Sequence, residues 1–181
     1  MLPSIENSTL LLIDIQERIF SAMHAPDRDL LIKETAILLQ AFDEFGGNVV
    51  VSEQYSKGLG QTIDALAPYT KRWPCVEKMH FSLCASPVYA DVKALIRQDV
   101  VLVGIEAHVC VLQTGRDLLD QGHRVWVPFD AVTSRDPAYR DNGIALLEKA
   151  GAVIINTESL VFNQLHRAGT ETFTRFSRLI R

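Results

Sequence analysis

Three ionisable residues of this 181-residue chain each stand at the end of a short apolar run or just beyond one. Asp14 follows TLLLI, Lys78 follows CVE, and Cys110 comes shortly after VVLVGI. Taken singly, each has a plain role. An Asp at a strand end serves as a turn or cap residue, a strand-ending Lys is solvated, and a Cys between valines is a small hydrophobe. Taken together, they could do chemistry. A sulfur in the first turn of a helix meets unpaired amides and the positive end of the helix, and a nearby ammonium favours the thiolate further. A thiolate is a nucleophile. A carboxylate beside it can move a proton between thiol, leaving group and water, if burial and a neighbouring charge hold its pKa in the working range. Cys75 and Cys84 have no such setting and read as inert apolar side chains.

Elements that would bring the three together are legible in the periodicity. Residues 9–14, 48–53, 100–105, 124–129 and 152–156 are β-branched apolar runs continuous enough for strands buried on both faces, and CVEK at 75–78 is a shorter one. Between them, residues 28–45, 86–97, 109–121 and 137–150 repeat apolar side chains at helical spacing. Gly46, Gly122 and Gly151 stand where three of these helices should stop. Six strands with helices between them predict an α/β fold, a Rossmann-like three-layer sandwich. Right-handed crossovers place helices on both faces and gather the carboxyl ends of the strands into one crevice, where ligands of such sheets bind. Asp14, Lys78 and Cys110 all fall on that edge.

Composition narrows the classes. The length suits one domain spanning residues 1–181, without repeats, low-complexity tracts or a break in composition. A net charge of −4 with scattered Lys and Arg gives no reason to expect nucleic acid. Three cysteines without metal-ligand spacing leave at least one free thiol and favour a reducing compartment. The first apolar run is interrupted at Asp14 and has no basic leader, so neither a signal peptide nor a membrane span is expected. A cytoplasmic protein acting on a small molecule is the resulting expectation. The GLG at 58–60 lacks the third glycine of a dinucleotide fingerprint, and no cofactor is expected.

LLIDIQ, VSEQYSKGLG, VEKMHFS, GIEAHVCV, DAVTSR and NTESLVF, in this order over about residues 8–165, resemble the isochorismatase-like family of cysteine hydrolases, in the branch of isochorismatase domain-containing proteins. The resemblance implies a parallel sheet in the order 3-2-1-4-5-6 and a catalytic triad of Asp14, Lys78 and Cys110. It also implies a non-proline cis peptide between Ile105 and Glu106, and an oxyanion hole made by the backbone amides of Glu106 and Cys110. Gln16, Tyr55, Phe81 and His108 are the residues assigned to substrate binding. Nicotinamidase-type members carry an Asp-x-His metal motif after the second strand, where this chain reads SEQYSKG, so no metal is expected. Isochorismatases proper cleave a vinyl ether without needing the cysteine. Its presence favours hydrolysis of a C–N bond in a small amide or carbamoyl compound through a thioester. The alternatives are vinyl ether hydrolysis, a non-catalytic interaction module, or a thiol redox sensor on the same fold.

The tail from 157 to 181 carries Leu160, Phe162, Leu165, Phe173, Phe176, Leu179 and Ile180. It is expected either to fold back on its own sheet or to bury apolar surface between copies. The family's habit of oligomerising favours the second, as a homodimer or larger homo-oligomer.

Overall fold

Six strands, β1 (Ser8–Ile13), β2 (Asn48–Gln54), β3 (Cys75–Lys78), β4 (Asp99–Gly104), β5 (Arg124–Pro128) and β6 (Val153–Ile155), appear in the computed structural model, which describes residues 2–181. All pair in parallel in the order β3-β2-β1-β4-β5-β6, the order and fold class that the resemblance implies. Alternation of side chains along each strand splits the apolar residues between two layers. Leu10, Leu12, Val49, Val51, Val101 and Val103 face one way, and Leu11, Ile13, Val50, Val100 and Leu102 the other. The first layer is covered by α2 (Ala25–Glu44), α8 (Thr157–Leu165) and α9 (Glu171–Ile180). The second is covered by α5 (Tyr89–Val92), α6 (Leu112–Asp120) and α7 (Pro137–Ala150). Each such side chain, fully buried, contributes roughly 1.5–3 kcal/mol, so the two faces rather than local propensity hold the sandwich together. Gly46, Gly122 and Gly151 follow α2, α6 and α7 with positive φ.

Several elements differ from the periodicity. The helix expected over 86–97 shrinks to α5 and a 3-10 turn, Lys93–Leu95. Thr9 Oγ1 and Asn48 Nδ2 donate to the Leu95 carbonyl at 2.6 and 2.8 Å, so strand side chains take the acceptor that a longer helix would have used. The stretch 54–74 contains two single turns, α3 (Ser56–Leu59) and α4 (Ala67–Thr70), and another short helix, α1 (Glu17–Ser21), leads into α2. The tail folds back. Leu160, Leu165 and Phe176 are buried, with Phe176 stacked on Phe45 at the end of α2 and Phe162 edge-on to Phe173. Phe173, Leu179 and Ile180 are half-buried and Phe162 is 39% exposed, so the tail packs on its own chain, the first of the two expected arrangements, and leaves some apolar surface uncovered.

Candidate active site

Strand order reverses direction between β1 and β4, and in open α/β sheets the crevice at such a switch point is where ligands bind. Asp14 leaves β1 with φ 53°, a left-handed conformation that Asp tolerates better than most residues. Its amide donates to Ser52 O at 3.1 Å, which anchors the turn on β2. On the other side Gly104 (φ 121°) ends β4 so close to β1 that a Cβ would lie 2.0 Å from the Ile13 carbonyl oxygen. Only glycine fits. The chain then passes through a cis peptide between Ile105 and Glu106, at the expected bond, into a π-helical turn, Ala107–Val111, that carries Cys110 into α6. Gly143 of α7 packs on this turn, where a Cβ would meet the Ala107 carbonyl at 2.7 Å.

The strand ends deliver Asp14 and Lys78 into direct contact. Lys78 Nζ donates to Asp14 Oδ2 at 2.6 Å and to Gln54 Oε1 at 2.8 Å, and Ser52 Oγ donates to Asp14 Oδ1 at 2.8 Å. Neither side chain of the ion pair reaches solvent. Burial raises the Asp14 pKa above the ordinary carboxylate range, against the pull of Lys78 and three hydrogen-bonding partners, Lys78, Ser52 and Cys110. Cys110 is 5% exposed. Burial first, and then the Asp14 charge, push its thiol up to about 12, while Lys78 pulls the other way. This corrects the expectation of an acidic, exposed sulfur. Low dielectric and a neighbouring carboxylate outweigh the helix start and the ammonium. The unliganded site therefore holds a thiol beside a carboxylate with raised proton affinity, an arrangement suited to passing the proton between them.

Asp14 and Cys110 share a small cavity of about 190 Å³ with Gln54, Phe81, Glu106 and Arg135, and Ile19, Leu59 and Val109 complete its apolar wall. Ligand pockets for drug-sized molecules run to roughly 300–1,000 Å³, so this one suits a smaller group.

A family model described as Isochorismatase domain matches residues 8–159. The chain belongs to this family. Among curated relatives, the secreted isochorismatase effector Isc1 of Phytophthora sojae is 34% identical over 97% of this chain and 85% of its own. Isochorismatase domain-containing protein 2 of Danio rerio is 31% identical over 98% of this chain and 88% of its own. A solved structure described as a MAR1 ribonuclease from Caenorhabditis elegans is 35% identical, with a TM-score of 0.87 over 99% of this chain and 92% of its own. The YcaC product of Escherichia coli, described as an octameric hydrolase of unknown specificity, shares the fold (TM-score 0.88, 99% and 90% covered) at 14% identity.

Against this isochorismatase-family frame, the residues assigned to substrate separate. Phe81 lines the cavity and is 54% exposed at its mouth. Gln16 does not line it. Its side chain is buried and spent on backbone, donating to Gln54 O and Gly60 O and accepting from Gln54 N, so it clamps the loop after β2. Tyr55 does not line the cavity and is exposed, with φ 40° at the entry to α3. His108 also lies outside it, bonded to Ser134 Oγ at 3.0 Å and packed on Tyr139. Missed in the sequence were Gln54, which holds Lys78, and Arg135, which lines the cavity from the DAVTSR segment. No periodicity marks either position. Among the described residues no group of three His, Cys, Asp or Glu converges as a metal site. Glu53, in the SEQYSKG segment that stands in place of the metal motif, accepts from Thr62 and Ser56. Cys75 is exposed at the residue level, but its thiol is pushed up to about 11 by partial desolvation of the sulfur and then by the charge of Glu53.

Proposed function

We propose that the chain is a cysteine hydrolase that cleaves a C–N bond of a small amide or carbamoyl compound. The thiol proton of Cys110 passes to Asp14, and Sγ attacks the carbonyl carbon. Backbone amides of Glu106 and Cys110 hold the oxyanion; losing one such donor costs about 2.7–4 kcal/mol in comparable sites. Asp14 returns the proton to the leaving amine as the C–N bond breaks. Water, deprotonated by Asp14, then cleaves the thioester and restores the thiol. Lys78 keeps Asp14 in place and offsets the charge that forms on sulfur. The observation that carries this reading is the meeting of a buried Asp14–Lys78 pair and Cys110 at one small, largely apolar cavity.

A screen of small amides, ureido acids and isochorismate, with mass spectrometry of the acid-quenched enzyme, tests it. Turnover of an amide or ureido compound with an acyl adduct on Cys110, both lost in Cys110→Ala, is the expected result. Isochorismate cleavage that survives Cys110→Ala would establish vinyl ether hydrolysis in its place.

A second reading comes from the relative described as a ribonuclease. RNA belongs in the same screen, although a cavity of about 190 Å³ and a net charge of −4 suit a small substrate better than a polyanion. Three free cysteines fit action in the cytosol. No described helix is long and apolar enough to cross a membrane. Self-association is part of the proposal, drawing on the exposed Phe129 and Val153 beside the edge strand β6 rather than on the tail. Sedimentation at micromolar concentration checks it, a monomer being the contrary result.

A further inference from the structure

Glu106 is a buried carboxylate on the wall of the cavity beside Cys110, and it is short of partners. Its side chain is 5% exposed, and Oε1 accepts from Arg135 Nη1 at 3.3 Å. Oε2 is shielded from solvent without a hydrogen-bond partner among the described residues; His108 Nε2, 3.4 Å away, is within ion-pair distance and attracts it only when the imidazole is protonated. A carboxylate offers about four acceptor positions, and here a single protein donor is engaged. Lys78 cannot help, because it is committed to Asp14 and Gln54. Buried polar atoms are nearly always paired, and an unpaired carboxylate oxygen is among the costliest to leave so. Glu106 therefore keeps acceptor capacity to spare beside the nucleophile, and a molecule entering the cavity can supply the donor.

We infer that Glu106 is a specificity-determining residue whose carboxylate accepts from an N–H group of the substrate. Primary amides, ureas and carbamoyl compounds are then preferred over esters of the same shape. An ester of the same shape offers Glu106 no donor. Arg135, which also lines the cavity, holds Oε1, and the remaining acceptor positions of the carboxylate are the ones assigned to the incoming donor. The inference rests on the reading of Cys110 as the nucleophile.

Iodoacetamide and methyl iodoacetate test it as a matched pair, one with N–H donors and one without. With either reagent Sγ displaces iodide, one S–C bond forms, and the thiol proton is released to solvent. Peptide mass spectrometry follows alkylation at Cys110 alone, and each rate is divided by that of free glutathione with the same reagent. A normalised amide-to-ester ratio of about ten or more is expected for the wild-type protein, the size of one charge-assisted hydrogen bond. Glu106→Gln, which keeps the shape and removes the charge, should lower the ratio, and Glu106→Met should bring it to about one. A wild-type ratio near one, or a ratio unchanged in Glu106→Met, would overturn the inference. The wild-type ratio needs no variant, so a variant that fails to fold does not shield the idea. Equal alkylation of Cys110 by both reagents removes the role of Glu106 and leaves the nucleophile standing. If amides are hydrolysed while Cys110 takes neither reagent, both readings fail.

Discussion

Two ion pairs tie strand ends at opposite edges of the sheet, and they differ chiefly in water. At the carboxyl edge Asp14 and Lys78 are both sealed, with Gln54 and Ser52 completing their hydrogen bonds. At the amino edge Asp99 of β4 pairs with its register partner Arg124 of β5; Asp99 is buried and also accepts from Trp126 Nε1 at 3.0 Å, but the Arg124 side chain is 65% exposed. A dry pair bears a desolvation cost that its mutual attraction only roughly repays, so its proton affinities are poised and sensitive to a third group. A wet pair is screened and nearly indifferent to its neighbours. Cys110 stands beside the dry pair, where a proton can be traded.

Breaking the dry pair should have the largest effect. Lys78→Met leaves Asp14 buried without its cation, and removing one partner of such a pair costs about 3–5 kcal/mol. Urea denaturation should show that loss, and hydrolysis should fall by about 10²–10⁴ as the proton carrier is displaced or neutralised. A variant as stable and active as the parent would mean that the two edges are equivalent after all.

Asp14→Asn sharpens the contrast in a different way. Loss of the proton carrier should lower hydrolysis by about 10²–10⁴. Alkylation of Cys110 should nevertheless become faster at a fixed pH. The Asp14 charge raises the thiol pKa and Lys78 lowers it, so removing the carboxylate leaves only the favourable neighbour. An unchanged rate, followed by mass spectrometry at Cys110 so that exposed Cys75 does not interfere, would place Asp14 outside the sulfur's field, and a slower one would show that Asp14 serves the thiol as a base more than its charge holds the thiolate back.

The pH dependence follows from the same pair. Folding raises the Asp14 pKa, so between the ordinary carboxylate value near 3.9 and the folded value the native chain holds more protons than the unfolded one. Stability from this group is therefore greatest in acid and falls as pH rises through that window. Glu34 and Asp130, also raised by burial, act with the same sign. Asp14→Asn should flatten part of the slope of urea midpoint against pH, and the rising limb of kcat/KM in the parent should lie above the usual carboxylate range. An unchanged slope would mean that Asp14 keeps its ordinary pKa.

The contrast between the edges was partly legible in the sequence. Continuous apolar runs marked five of the six strands within a residue or two, because a strand covered on both faces must be apolar at every position, and β3 was marked only by the short CVEK run, in which Cys75 and Glu77 are exposed. The same runs located Asp14 and Lys78 at strand ends. Glycines closed α2, α6 and α7 where the chain must turn. What could not be read was the balance of forces once these residues met. Helix position and a nearby lysine suggest an acidic Cys110, but only the packing shows that burial and Asp14 prevail. Gln16 was assigned to substrate along with the resemblance, yet its amide is consumed by the backbone of residues 54 and 60. Arg135 reaches the cavity from 25 residues beyond Cys110, a distance over which sequence pattern carries no spatial information. Even the shortened helix over 86–97 was decided by Thr9 and Asn48, side chains on other elements.

The smallest effect is expected at the wet edge. Arg124→Met removes the cation from Asp99, and the geometry alone would suggest a loss like that at Lys78. It should cost less, about 1 kcal/mol or below, for two reasons. The guanidinium is mostly in water already, so little solvation was given up to form the pair and little binding is lost with it. Asp99 also keeps the indole N–H of Trp126, so its carboxylate is not left without a donor. The Met stem can still cover the apolar ground that the Arg stem covered. Hydrolysis and Cys110 alkylation should be unchanged, since Arg124 opens β5 at the edge opposite the crevice. Urea midpoints at low and high salt check the claim: the parent should lose a few tenths of a kcal/mol in high salt and approach the variant. A loss of about 3 kcal/mol or more, insensitive to salt, would show that this pair behaves as if dry. Solvent exposure would then not be what separates the two edges.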